Sequence, residues 1–140
     1  MKLQIFDRSN AHVAANRTDY RAIGFNRRNA RMTFSKRATA ELNVGEYQSI
    51  IVARDTDSKN NAWYMRLVKT DEGIPVRLKN GTGYCKSVQS YICCSRVVTG
   101  NLLDSLNAES GATLLIAQKP ISIEGEEWYE LVTSKPIRKK

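Results

Sequence analysis

The chain has 140 residues, 41% of them hydrophobic, and carries 22 Lys/Arg against 14 Asp/Glu and one His, a formal net charge of +8. That length suffices for a single domain over 1–140 with a real core, and not for two independent enzymes. No run approaches the roughly 18 apolar residues of a membrane span, and Met1–Arg8, with one Lys and a short apolar patch, does not read as a secretory signal; a cytoplasmic protein with no membrane partner is expected.

In chain order, residues 1–19 are polar with scattered apolar anchors, of which Leu3, Ile5 and Phe6 suit a short edge strand. Alternation begins at Tyr20 and continues to Phe25; Arg27 to Ala30 reads as a turn, and Arg31 to Phe34 as a returning strand with Met32 and Phe34 inward. Ser35 is placed to cap a helix over 36–43, which Asn43 to Glu46 ends. A β-branched run from Tyr47 to Arg54, a polar turn and a return over 62–68 make a hairpin in which Trp63, Met65 and Leu67 share a face. Ile74, Val76 and Leu78 alternate as a further strand, followed by a turn over 79–83.

The same order then repeats. Ile92-Cys-Cys matches Met32-Thr-Phe, a short helix covers 99–106, a strand covers 112–118, and Trp128 to Val132 matches Trp63 to Leu67. Ser35 falls 60 residues before Ser95, Leu42-Asn43 falls 64 before Leu106-Asn107, and Trp63-Tyr64 falls 65 before Trp128-Tyr129. Units of this size do not bury their apolar face alone and pack on each other about a pseudo-twofold axis. The expected class is α+β, mainly β: two similar strand–helix–hairpin units, 20–70 and 74–134, packed as a pseudo-twofold β-barrel or sandwich, with a basic tail over 135–140.

The charge is unevenly placed. Residues 1–40 hold nine Lys/Arg and two Asp/Glu, residues 87–134 hold two and six, and the last six residues add four cations. A polyanion would therefore meet one half of the molecule. Arg17, Arg21, Arg27, Arg28, Arg31, Lys36 and Arg37 place seven cations within 21 residues. Guanidinium groups pair bidentately with phosphate, and each phosphate neutralised releases counterions, so such a face binds nucleic acid without any sequence code. Tyr20, Phe25 and Phe34 interleave with this set and would stack on single strands if exposed; strand alternation sends Phe34 and Phe25 to the core.

The stretch Arg31-Met-Thr-Phe-Ser-Lys-Arg-Ala-Thr-Ala-Glu-Leu-Asn-Val-Gly-Glu resembles the core of the AbrB/SpoVT-type swapped-hairpin barrels, whose motif runs Gly-Arg, three alternating strand residues, Pro-Lys, a short helix ending in Leu, then Gly-Asp before a strand. Ala30 stands for the Gly, Ser35 for the Pro and Glu46 for the Asp. The segment from Leu42 to Gly45 is two residues shorter than the pattern, and in the second copy Ala112 stands where an acid is expected. The resemblance covers roughly 25 residues per copy. It implies a barrel built from two units and DNA binding through Arg31, Lys36 and Arg37; the charge count adds Arg27 and Arg28. The second copy has few cations around Arg96, so symmetric binding of an operator calls for a homodimer presenting two first copies.

The expected partner is thus nucleic acid, DNA before RNA. A Whirly-like single-strand binder, with Trp63-Tyr64 and Trp128-Tyr129 as stacking candidates, is one alternative, although each Trp opens an alternating strand and reads as core. A non-enzymatic oligomeric structural or interaction protein of a phage or mobile element is another. Enzyme chemistry is not expected. Cys85, Cys93 and Cys94 suit neither a disulfide framework nor a metal clamp, and His12 is the single candidate base for a cysteine nucleophile. The Gly81 to Ser87 stretch lacks a P-loop glycine where Cys85 stands, and the carboxylate pairs Glu126-Glu127 and Asp71-Glu72 point apart on strands. No catalytic residue, metal or cofactor is assigned.

Overall fold

The computed structural model describes residues 2–5, 20–56, 62–80 and 89–140. Arg17, His12, Phe6, Cys85, the Gly81 to Ser87 stretch and most of the turn after Asp55 lie outside the described residues. The elements are β1 (Ala22–Asn26), β2 (Arg31–Phe34), α1 (Lys36–Leu42), β3 (Ser49–Arg54), β4 (Trp63–Val68), β5 (Ile74–Pro75), β6 (Arg77–Asn80), β7 (Gln89–Cys94), α2 (Arg96–Ser105), β8 (Gly111–Ile116), β9 (Ile121–Ile123), β10 (Glu126–Val132) and β11 (Arg138–Lys139). The fold is α+β and mainly β.

One antiparallel sheet runs β5-β3-β4-β10-β8-β1-β2-β7-β6. Its two ends are neighbours in sequence: β5 pairs with β3, β6 pairs with β7, and the intervening Val76 N–H donates to the Gln48 carbonyl at 3.0 Å. The path therefore returns on itself as a near-closed barrel, which removes the exposed edges an open sheet would present. Ile23, Phe25, Met32, Phe34, Ile50, Met65, Leu114 and Leu131 fill its interior, joined by Ala38 of α1 and Leu102 and Leu103 of α2.

Both helices are set by the same local chemistry. Ser35 Oγ accepts from the Ala38 N–H at 3.1 Å and Ser95 Oγ from the Val98 N–H at 3.2 Å, while Asn43 and Asn107 close the ends with φ of 53° and 57°. Asparagine tolerates that left-handed conformation better than most residues. The Ser95 cap starts α2 at Arg96, three residues before the expected Thr99.

The two units are related by a pseudo-twofold, and its register corrects the sequence match. Met32 faces Cys93, flanked by Arg31 opposite Cys94 and Thr33 opposite Ile92. A half turn about the Met32–Cys93 pair exchanges the flanking pairs, so the equivalent of Met32 is Cys93 and not Ile92. Likewise Tyr64 faces Glu130, with Trp63 opposite Leu131 and Met65 opposite Tyr129, which makes Tyr129, not Trp128, the counterpart of Trp63. A one-residue slip reverses every facing on a strand. Cys93 is accordingly buried, its thiol pushed up to about 12 by burial and then by neighbouring Cys94, and Cys94 is exposed. Trp63 is buried, with its indole N–H donating to Ser105 Oγ at 3.1 Å. Trp128 points outward and carries the Arg66 guanidinium 5.6 Å from its ring centre.

Three further boundaries move. Tyr47 is 92% exposed in a turn closed by the Gly45 N–H to Gln48 Oε1 bond of 2.8 Å, so β3 begins at Ser49. The hairpin of β9 and β10 turns at Glu124 and Gly125, both at positive φ, which extends β10 back to Glu126. Leu3 and Ile5 are exposed and form no strand.

Candidate nucleic-acid interface

The C-terminal charges enter the sheet. Leu131 and Val132 of β10 pair with Ile116 and Leu115 of β8, and Arg138 and Lys139 of β11 pair with Thr113 and Ala112 on the same strand. Lys140 completes the clip, its N–H donating to the Gly111 carbonyl at 2.8 Å and its own carbonyl accepting from Ser110 at 2.9 Å. The intervening residues bulge out, since the chain advances six positions while β8 advances two.

On the outer face of β8, β1 and β2 this clip borders a floor of small residues. Gly24 stands between Thr33 and Thr113, and Asn26 between Arg31 and Gly111. Gly111 has no alternative: a Cβ there would lie 2.7 Å from the Phe25 carbonyl oxygen. The resulting cleft, about 430 Å³, is lined by Arg28, Arg138 and Lys140 over Gly24, Thr33, Gly111 and Thr113, and no Asp or Glu is among its lining residues. From β11 to β2 is three strand spacings, about 14 Å along the sheet.

The clefts of the outer face around β4 and β10 have the opposite character. There Arg66 lies among Glu41, Glu126 and Glu127, and bonds Glu126 at 3.2 Å. Nearby, Asp55, Glu124 and Glu126 surround Tyr64 and Trp128. Burial first, then Glu130 and Asp55, raise the Tyr64 hydroxyl above its ordinary value.

Among the described residues, the cations singled out in the sequence are engaged in different ways. Arg21 is half-buried, its guanidinium 5.0 Å from the Tyr129 ring centre and its Nη2 donating to the Ala117 carbonyl at 3.0 Å. Arg27 is a clamp between the β1–β2 turn and the end of α2: Nη2 donates to Asp104 Oδ1 at 2.8 Å and to the Ala108 carbonyl at 3.0 Å, and Nε donates to the Glu109 carbonyl at 2.6 Å. Arg37 pairs with Glu41 one turn along α1 at 3.3 Å. Lys36 is exposed on the first turn of α1, away from the cleft lining. Arg31 is half-buried on the outer face of β2, its buried Nε without a hydrogen-bond partner. Among the described residues of the set, Arg28 alone lines the cleft, and there it meets Arg138 and Lys140, more than a hundred residues later in the chain.

Arg27→Ala is expected to cost about 1–2 kcal/mol, mainly through the hydrogen bonds to carbonyls, because the ion pair is exposed and worth little by itself. A urea titration checks this; an unchanged midpoint removes the clamp reading.

Among the described residues no group of three or more His, Cys, Asp or Glu could hold a metal ion, and no helix is long and apolar enough to cross a membrane. No protein-family model, curated protein or solved structure matches the chain.

Proposed function

We propose that the protein binds nucleic acid, DNA in the first instance, through the cleft bounded by Arg28, Arg138 and Lys140, without catalysing a reaction. The observation that carries this reading is the convergence of three cationic side chains from two distant segments on a recess whose lining contains no Asp or Glu. Cations gathered in this way bind a phosphate chain by counterion release and charge-assisted hydrogen bonds. The near-closed barrel of two swapped units also agrees with the resemblance of the Arg31 to Glu46 stretch to AbrB/SpoVT-type proteins, and supports placing the chain with DNA-binding regulators of that kind. Binding of fluorescent duplex and single-stranded oligonucleotides over a salt series tests it. Three phosphate contacts predict a log–log slope of about −2.7 for duplex and about −2.1 for a single strand. No binding of either at low salt removes the proposal.

A second reading, a non-enzymatic interaction protein that assembles with itself or another protein, is favoured by Tyr47 at 92% and Val97 at 72% exposure. Sedimentation across a concentration series, with no nucleic acid present, separates it: reversible association that disappears on Tyr47→Ser or Val97→Ser would support assembly. Of the stacking candidates of the Whirly-like reading, Trp63 lies in the core, while Tyr64, Trp128 and Tyr129 are half-buried.

A further inference from the structure

We infer that the cleft grips one phosphodiester backbone and reads no base edges, so that each chain carries a single, sequence-independent site. The inference rests on the nucleic-acid reading above and specifies its ligand.

Shape comes first. Direct readout requires a helix or ribbon that projects into a groove about 8.5 Å deep. Here the cations rim a recess floored by Gly24, Gly111, Thr33 and Thr113, and a recess receives a ridge, which on nucleic acid is the sugar–phosphate chain. Arg28, Arg138 and Lys140 are of the kind that can pair with a guanine edge, but set around a recess rather than on a projecting element they meet the backbone ridge first. Phe25, the aromatic residue of the lining, is buried with the core, so the cleft itself offers no exposed ring as a stacking platform. Asn26 is the one amide, and its Oδ1 already accepts from the Arg28 N–H at 3.0 Å.

The pseudo-twofold then limits the number of sites. The pair Gly24–Thr113 has Pro75–Ser49 as its counterpart, and the counterparts of Arg31 and Thr33 are Ile92 and Cys94. Ser49 is buried, its Oγ donating to the Thr70 carbonyl at 2.8 Å and accepting from the Gly73 N–H at 3.0 Å. At the symmetry-related place Pro75 stands where Gly24 does and Ser49 is covered by its bonds to Thr70 and Gly73, so the small-residue floor is not repeated there.

The test uses the full chain and short duplexes of equal length, one AT-rich, one GC-rich and one palindromic, together with a mixed-sequence single strand. The three duplexes are expected to agree within about threefold, less than the effect of one mismatched base pair in a sequence reader. Binding of the shortest strand that saturates is expected at one per chain. Thr113→Glu, which sets a carboxylate on the floor, is expected to weaken every ligand at least tenfold, whereas Val97→Glu, the same added charge on the exposed side of α2 and outside the cleft lining, is the folded control. A preference above about 30-fold for one duplex, or two strands per chain, overturns the inference and leaves nucleic-acid binding standing. Absence of salt-dependent binding to every ligand overturns both.

Discussion

Replacing Arg28, Arg138 and Lys140 together by Glu is expected to weaken nucleic-acid binding at low salt by at least about 100-fold, because three charge-assisted contacts are lost and repulsion takes their place. All three side chains are exposed, and β11 is held by backbone bonds that the substitutions leave in place; the far-ultraviolet spectrum and melting temperature should change little. The companion variant, Arg21, Arg27 and Arg37 each replaced by Glu, changes the net charge by the same amount at residues that already have partners. It should lower affinity far less and stability more. Fluorescence anisotropy at several salt concentrations, beside a thermal melt of each protein, gives both readouts. Equal loss of affinity from the two triples would mean that net charge alone attracts the polyanion, and the cleft would then have no special standing.

The second large effect is in the core. Ile50 and Leu114 are counterparts under the pseudo-twofold, paired with Ile74 and Ile23 respectively, and both are fully buried. Leu114→Ala and Ile50→Ala are each expected to cost about 2–5 kcal/mol, from lost apolar transfer plus the cavity left behind. One core cluster contains residues of both units, so each variant should unfold in a single cooperative transition. Urea unfolding followed by tryptophan fluorescence and circular dichroism checks this. Two separated transitions, or a cost under about 1 kcal/mol, would show that the halves do not share their core.

Much of this architecture is legible in local chemistry. The first helix start follows from Ser35, the helix ends from Asn43 and Asn107, and the inward faces of β1, β2 and β4 from alternation at Ile23, Phe25, Met32, Phe34, Trp63 and Met65, whereas the second helix starts at the Ser95 cap, three residues before its expected place. Register between the units is not. Aligning Trp63 with Trp128 is natural by residue type, yet pairing between β4 and β10 makes Tyr129 the counterpart. That single residue decides that Trp128 faces solvent with Arg66, since facing alternates along a strand.

The candidate site divides in the same way. The amino-acid sequence by itself determined the two-unit order, the caps, and the concentration of positive charge in residues 1–40 and 135–140. Which cations stay available was a tertiary decision. Arg21 and Arg27 lie in the same charge run as Arg28, but carbonyls and Asp104, brought near by the fold, engage them. Arg138 and Lys140 read as a tail until pairing with β8 sets them beside Arg28. The physical reason is that charge is a property of composition, whereas a binding face depends on contacts between segments far apart in the chain, and those are made only when the barrel closes.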